Sequence, residues 1–144
     1  MNNVELAVSC FKEGSNCAQA LLSTYGTQFG MDKATSMRIA APFGGGMGRL
    51  GKTCGAVIGA FMIIGLKYGT AMPQEKGAKE KAYDYAWEFV SKFKFRNGSI
   101  TCKKLLGCDI STPEGMKFAK EQNLIDTLCP KFIRDATEII EQIL

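Results

Sequence analysis

Apolar positions in this chain recur at spacings of three and four, and strict apolar–polar alternation is sustained nowhere. That period belongs to helices, whose side chains return to one face about every 3.6 residues. The pattern predicts a helix over 4–11, broken by Gly14-Ser15-Asn16. Asn16 suits an N-cap, and a second helix follows over 18–29 until Gly30 ends it. Asp32 caps a shorter helix over 33–41, and Pro42 stops it. A glycine-rich turn over 44–51 leads to Thr53, which can cap a helix over 54–68 that Gly69 ends. This helix is apolar nearly all round, which predicts a central position, and Gly55 and Gly59 leave room for a close neighbour. The stretch 74–95 is long and amphipathic, with Trp87, Phe89, Val90 and Phe93 along it. Asn97-Gly98 reads as a turn, Ser99 or Thr101 as the cap of a short helix to Leu106, and Gly107 as its end. Pro113 opens a helix to Gln122, and Pro130, welcome in a helical first turn, opens the last one over 131–144. The expectation is an all-α fold: a single domain, residues 1–144, with six to eight helices around the apolar helix that begins at Cys54.

Composition narrows the class without changing that picture. Apolar residues at 46% and charged residues at 22% are ordinary for a globular domain. The net charge of +4 is spread along the chain, with no basic run and no aromatic–basic interleaving, so nucleic acid is not an expected partner. The N-terminal stretch has Glu5 and no basic region, unlike a signal peptide. The longest apolar run, 56–66, is about half of what a bilayer span needs, and Lys52 and Lys67 bracket it. A soluble, cytoplasmic protein with no membrane span is expected.

Two features carry chemistry. The first is the stretch from Gly46 to Thr53, GMGRLGKT, which fits the G-x-x-x-x-G-K-[ST] template of a phosphate-binding loop. Such a loop needs a strand before it, and 37–43 is short and carries Pro42. No other apolar run ends in the metal-binding Asp that this site also needs. The alternative is a glycine-rich turn that shapes a helix start.

The second feature is the set of six cysteines, Cys10, Cys17, Cys54, Cys102, Cys108 and Cys129, in a chain with no histidine. Lacking histidine, the chain has no Ser-His or Cys-His nucleophile pair and no His-ligated zinc. Cys17 follows the cap Asn16, Cys54 follows Thr53, and Cys102 follows Thr101. Cys129 precedes Pro130, which predicts the N-cap itself. Four cysteines thus fall at expected helix starts, where unpaired N–H groups and the dipole favour a thiolate or a ligand sulfur. Cys10 lies within a helix and reads as plain core, and Cys108 as a spare or resolving thiol.

These residues resemble a family of redox-active proteins named for the pattern C_GCAxxG_C_C. The run Cys54-Gly-Ala-Val-Ile-Gly59 is similar to its central signature, reading Cys-Gly-Ala where the name has G-C-A. Asn16-Cys-Ala-Gln-Ala20, Gly44-Gly-Gly-Met-Gly48, Cys102-Lys-Lys-Leu-Leu-Gly107 and Cys129 in Leu-Cys-Pro fit around it, so the likeness runs from about Ala7 to the C-terminus. It implies that Cys17, Cys54, Cys102 and Cys129 are the family's four cysteines and are redox-active. A similar region in split-Soret cytochromes implies iron–sulfur binding, while their haem does not carry over, since C-x-x-C-H is missing here.

Four functions follow in order. The first is electron transfer by an iron–sulfur cluster, or other metal, on Cys17, Cys54, Cys102 and Cys129. The second is thiol–disulfide exchange, which would make the chain an enzyme, with Cys54 and Cys102 as catalytic candidates. Cys54 would be the attacking low-pKa thiolate, with Lys52 near it in sequence. The third is a structural four-cysteine zinc site, although zinc motifs use close pairs. The fourth is nucleotide binding at Gly46–Thr53. Glu75, Glu80 and Asp84 read as solvated charges, and Met62 as packing. The partner expected is a redox protein, and a homodimer is compatible with the sequence.

Overall fold

The computed structural model describes residues 1–144, the Ala78 side chain excepted. The fold is all-α, as the spacing predicts, and the described residues contain no strand. In chain order the helices are α1 (Asn3–Lys12), α2 (Cys17–Gly26), α3 (Lys33–Ala40), α4 (Gly55–Tyr68), α5 (Ala78–Asn97), α6 (Cys102–Leu106), α7 (Pro113–Glu121) and α8 (Leu124–Ile143). Helix α4 packs against α2, α5 and α8, with Ala56, Val57, Ala60, Ile63 and Ile64 buried. It is therefore central, although Phe61 and Gly65 face outward.

Most boundaries follow from local chemistry. Asn16 caps α2 by accepting from the Gln19 N–H at 2.9 Å, and the Gln19 side chain accepts from the Asn16 N–H at 2.9 Å. The same two side chains donate to the carbonyls of Ala41 and Met37, which ties the start of α2 to the end of α3. Asp32 caps α3 and Thr112 caps α7, and Gly98 and Gly107 end α5 and α6 in the left-handed conformation.

Two boundaries differ from expectation. Helix α4 is capped by Cys54 rather than Thr53. The last helix begins at Leu124, so Cys129 is not an N-cap but lies in the second turn, with Pro130 inside the helix. The earlier start extends the apolar stripe of α8, because Leu124, Ile125 and Leu128 pack on the core ahead of Phe132 and Ile133. Pro130 has no N–H, so the Asp126 carbonyl one turn back loses its helical partner.

The glycine-rich turn has an unusual form. Five consecutive residues, Gly45 to Arg49, have φ between 64° and 69°. They form a turn of left-handed helix, which L-residues disfavour by about 1–2 kcal/mol each and glycine tolerates freely. Met47 and Arg49 are the two non-glycine residues held in it.

Candidate functional site: a cavity lined by four cysteines

Four elements bring one cysteine each to one place. Cys17 is the first residue of α2, Cys54 caps α4, Cys102 is the first residue of α6, and Cys129 lies in α8. All four are buried, and all four line a single cavity of about 600 Å³. Apolar wall is supplied by Phe11, Ile110, Met116 and Phe132.

Backbone contacts fix this meeting. The segments before α4 and α6 lie antiparallel, bridged at Thr53 and Thr101. The Cys54 N–H donates to the Ile100 carbonyl at 2.7 Å, and the Cys102 N–H to the Lys52 carbonyl at 2.6 Å, so the two cysteines are held side by side. Cys17 is brought in by Gly55. A Cβ there would stand 3.2 Å from the Cys17 Cβ and 3.0 Å from the Phe43 carbonyl oxygen, so glycine lets the starts of α2 and α4 touch. Gly46 does the same for the left-handed turn against Cys102.

The electrostatics depart from the expectation of a low-pKa Cys54. Burial pushes the Cys54 thiol up to about 12, against the N–H groups of Ala56 and Val57, which act to lower it. Cys102 is likewise pushed up to about 12 by burial, and by the neighbouring Cys54, Cys129 and Cys108. The neighbouring Cys129 raises Cys17 well above its ordinary value, with burial adding to the rise, and Cys17 in turn holds Cys129 below its own. Lys52 is exposed, and the helix start does not outweigh desolvation at Cys54.

The donor set also limits what could sit there. Among the described residues, no three Cys, Asp or Glu side chains are close enough to hold one ion.

Of the remaining sequence candidates, Cys10 and Cys108 fall outside this site, whereas Gly46, Gly48 and Arg49 of the glycine-rich stretch line the cavity. Cys10 lies half-buried in α1, with its sulfur 3.6 Å from the Ser23 hydroxyl. Cys108 stands near Cys102 but does not line the cavity. The Gly46–Thr53 stretch lacks the strand that a phosphate-binding loop needs. Its N–H groups are spent internally: Arg49 donates to the Gly44 carbonyl, Gly51 to Gly45 and Lys52 to Gly46, at 2.9–3.2 Å. They do not converge on a phosphate position. Two residues that the sequence did not single out, Arg49 and Asp126, also line the cavity, and both are exposed at its rim. Arg49 was hidden inside the motif-like string, and Asp126 inside a helix start that Pro130 disguised.

A family model described as "Putative redox-active protein (C_GCAxxG_C_C)" matches residues 15–143. The chain belongs to this family. The match takes in every cysteine that lines the cavity, and the family's description assigns its members a redox role. No curated protein and no solved structure matches the chain. No helix among the described residues is long and apolar enough to cross a membrane.

Proposed function

We propose that this C_GCAxxG_C_C protein transfers electrons through an iron–sulfur cluster held by Cys17, Cys54, Cys102 and Cys129. The observation that supports the reading is the convergence of four buried cysteines, from four helices, on one cavity of about 600 Å³ with no histidine in the chain. Such a cluster, when bound, supplies one-electron transfer at a potential that its surroundings set. The chain's part is to present the sulfurs, to line the cavity with Phe11 and Phe132, and to place Cys54 at the start of α4, where the helix dipole favours an anionic sulfur. Protons now on the buried thiols would leave as the ligands are taken up.

Protein purified without oxygen should be brown and contain iron and acid-labile sulfide, with zinc low in the same sample. Cys54→Ser should lose the colour. Colourless protein that stays free of iron and sulfide after attempted reconstitution would sink the proposal.

A second reading has one observation in its favour. Cys17 and Cys129 line the same cavity and each shifts the other's titration, which fits a dithiol that cycles to a disulfide. It requires a Cys17–Cys129 disulfide to form on mild oxidation of the metal-free protein, which peptide mapping after thiol trapping would detect or exclude.

A further inference from the structure

Helix α5 carries an apolar face that nothing in the chain covers. Trp87 is 79% exposed, Phe95 93% and Tyr83 58%. Phe89 and Phe93 are buried on the opposite side of the same helix, so α5 is apolar on both faces. Tyr83, Trp87, Ser91 and Phe95 follow one another at intervals of four and form one outward stripe. Contiguous exposed aromatic surface on a soluble fold marks an interface.

The charges beside the stripe indicate what covers it. Glu80 and Asp84 lie on the N-terminal half of this face, and Lys94 on the C-terminal half. All three are exposed, and among the described residues none has an ion-pair partner in its own chain. Of the basic groups nearby, Arg96 pairs with Asp135 and Glu138, Lys92 pairs with Glu88, and Lys81 stands over the Tyr68 ring, while Lys79 lies at the N-terminal margin of the face, one turn before Tyr83. A face that is acidic at one end and basic at the other complements itself when turned through a half-circle.

We infer that α5 is the interface of a homodimer, with the two copies antiparallel across a two-fold axis at the level of Phe89. In that register Asp84 meets Lys94 of the second copy, and Tyr83 meets its Phe95. Trp87 meets its Ser91, a small side chain that leaves room for an indole. The three rings alone would bury on the order of 900 Å² over both copies. Their flanking side chains bring the contact near the roughly 1,200 Å² at which specific interfaces begin. The arrangement does not depend on what the cysteines hold.

Sedimentation equilibrium on the full chain, kept reduced so that no cysteine cross-links, tests the inference. The mass should rise from one chain to two with concentration. Trp87 is the only tryptophan, so its emission should shift to the blue over the same range. Trp87→Lys should stay at one chain throughout, with the circular dichroism of the parent, because the side chain it replaces is exposed. Asp84→Lys and Lys94→Asp should each weaken self-association about tenfold or more, and the double variant should restore it. A single-chain mass at every concentration overturns the inference. So does a two-chain mass that Trp87→Lys leaves unchanged, or a double variant no tighter than the weaker single one.

Discussion

Gly46 has no Cβ, and the space for one is taken. It would stand 2.6 Å from the Cys102 Cβ and 2.7 Å from the Lys52 nitrogen, at a residue with φ of +67°. Gly46→Ala should therefore combine left-handed strain with overpacking and lower stability by about 2–4 kcal/mol, read from urea unfolding. Met47→Gly is the contrast. Met47 has φ of 69° and is exposed, so glycine relieves strain there and should leave stability unchanged or raise it by up to about 1 kcal/mol. Equal losses from the two substitutions would contradict a turn held left-handed against Cys102. The sequence shows that this turn is glycine-rich, but its hand is not legible, because Met47 and Arg49 carry no signal for positive φ. The cysteine pKa values were hidden for a related reason. A helix start argues for a low value, and the burial that opposes it is set by residues far away in the chain.

At the scale of elements, the α2–α4 crossing shows what the glycines of α4 do. A Cβ at Gly59 would stand 2.9 Å from the Leu21 Cβ and 3.2 Å from the Ala18 carbonyl oxygen, whereas one at Gly65 would meet nothing within 4 Å. Two substitutions on one helix should thus have opposite signs. Gly59→Ala should cost about 1–3 kcal/mol by pushing α2 away. Gly65→Ala should gain about 0.5–1 kcal/mol, because alanine loses less entropy than glycine in a helix. Thermal or urea unfolding of both variants checks this, and a gain at Gly59 would contradict the close crossing. Element identity was largely legible, because capping is local: Asn16, Asp32, Gly98 and Gly107 all act where the sequence places them. The start of α8 was not. Pro130 reads as a first-turn residue, and only the packing of Leu124, Ile125 and Leu128 shows that the helix runs through it.

On the scale of the whole molecule, the four cysteines were legible as a set but their meeting was not. Positions 17, 54, 102 and 129 come together only because α2, α4, α6 and α8 pack around one cavity, and the Thr53–Thr101 bridge that joins two of them spans nearly fifty residues. The frame behind that cavity depends on a charge cluster joining α5 to α8. Arg96 reaches Asp135 at 3.1 Å and Glu138 at 2.6 Å, and Lys131 reaches Asp135 at 2.7 Å and the Asn97 side chain at 2.7 Å. Burial alone would raise the Asp135 carboxyl, but hydrogen bonds from Lys131 and Arg96 outweigh it and hold the group below its ordinary value. A carboxyl depressed by folding contributes stability above its unfolded pKa of about 3.9, and that contribution is lost as pH falls through the folded value. Asp135→Asn should therefore be about 1–2 kcal/mol less stable than the parent at neutral pH, the cations being partly solvated. The gap should close as pH drops below about 4, where the parent loses the same charge. Urea unfolding of both proteins across that range separates Asp135 from Glu5, whose carboxyl is also held low but is common to both. A gap that stays constant with pH would mean that Asp135 acts through packing instead of through its charge.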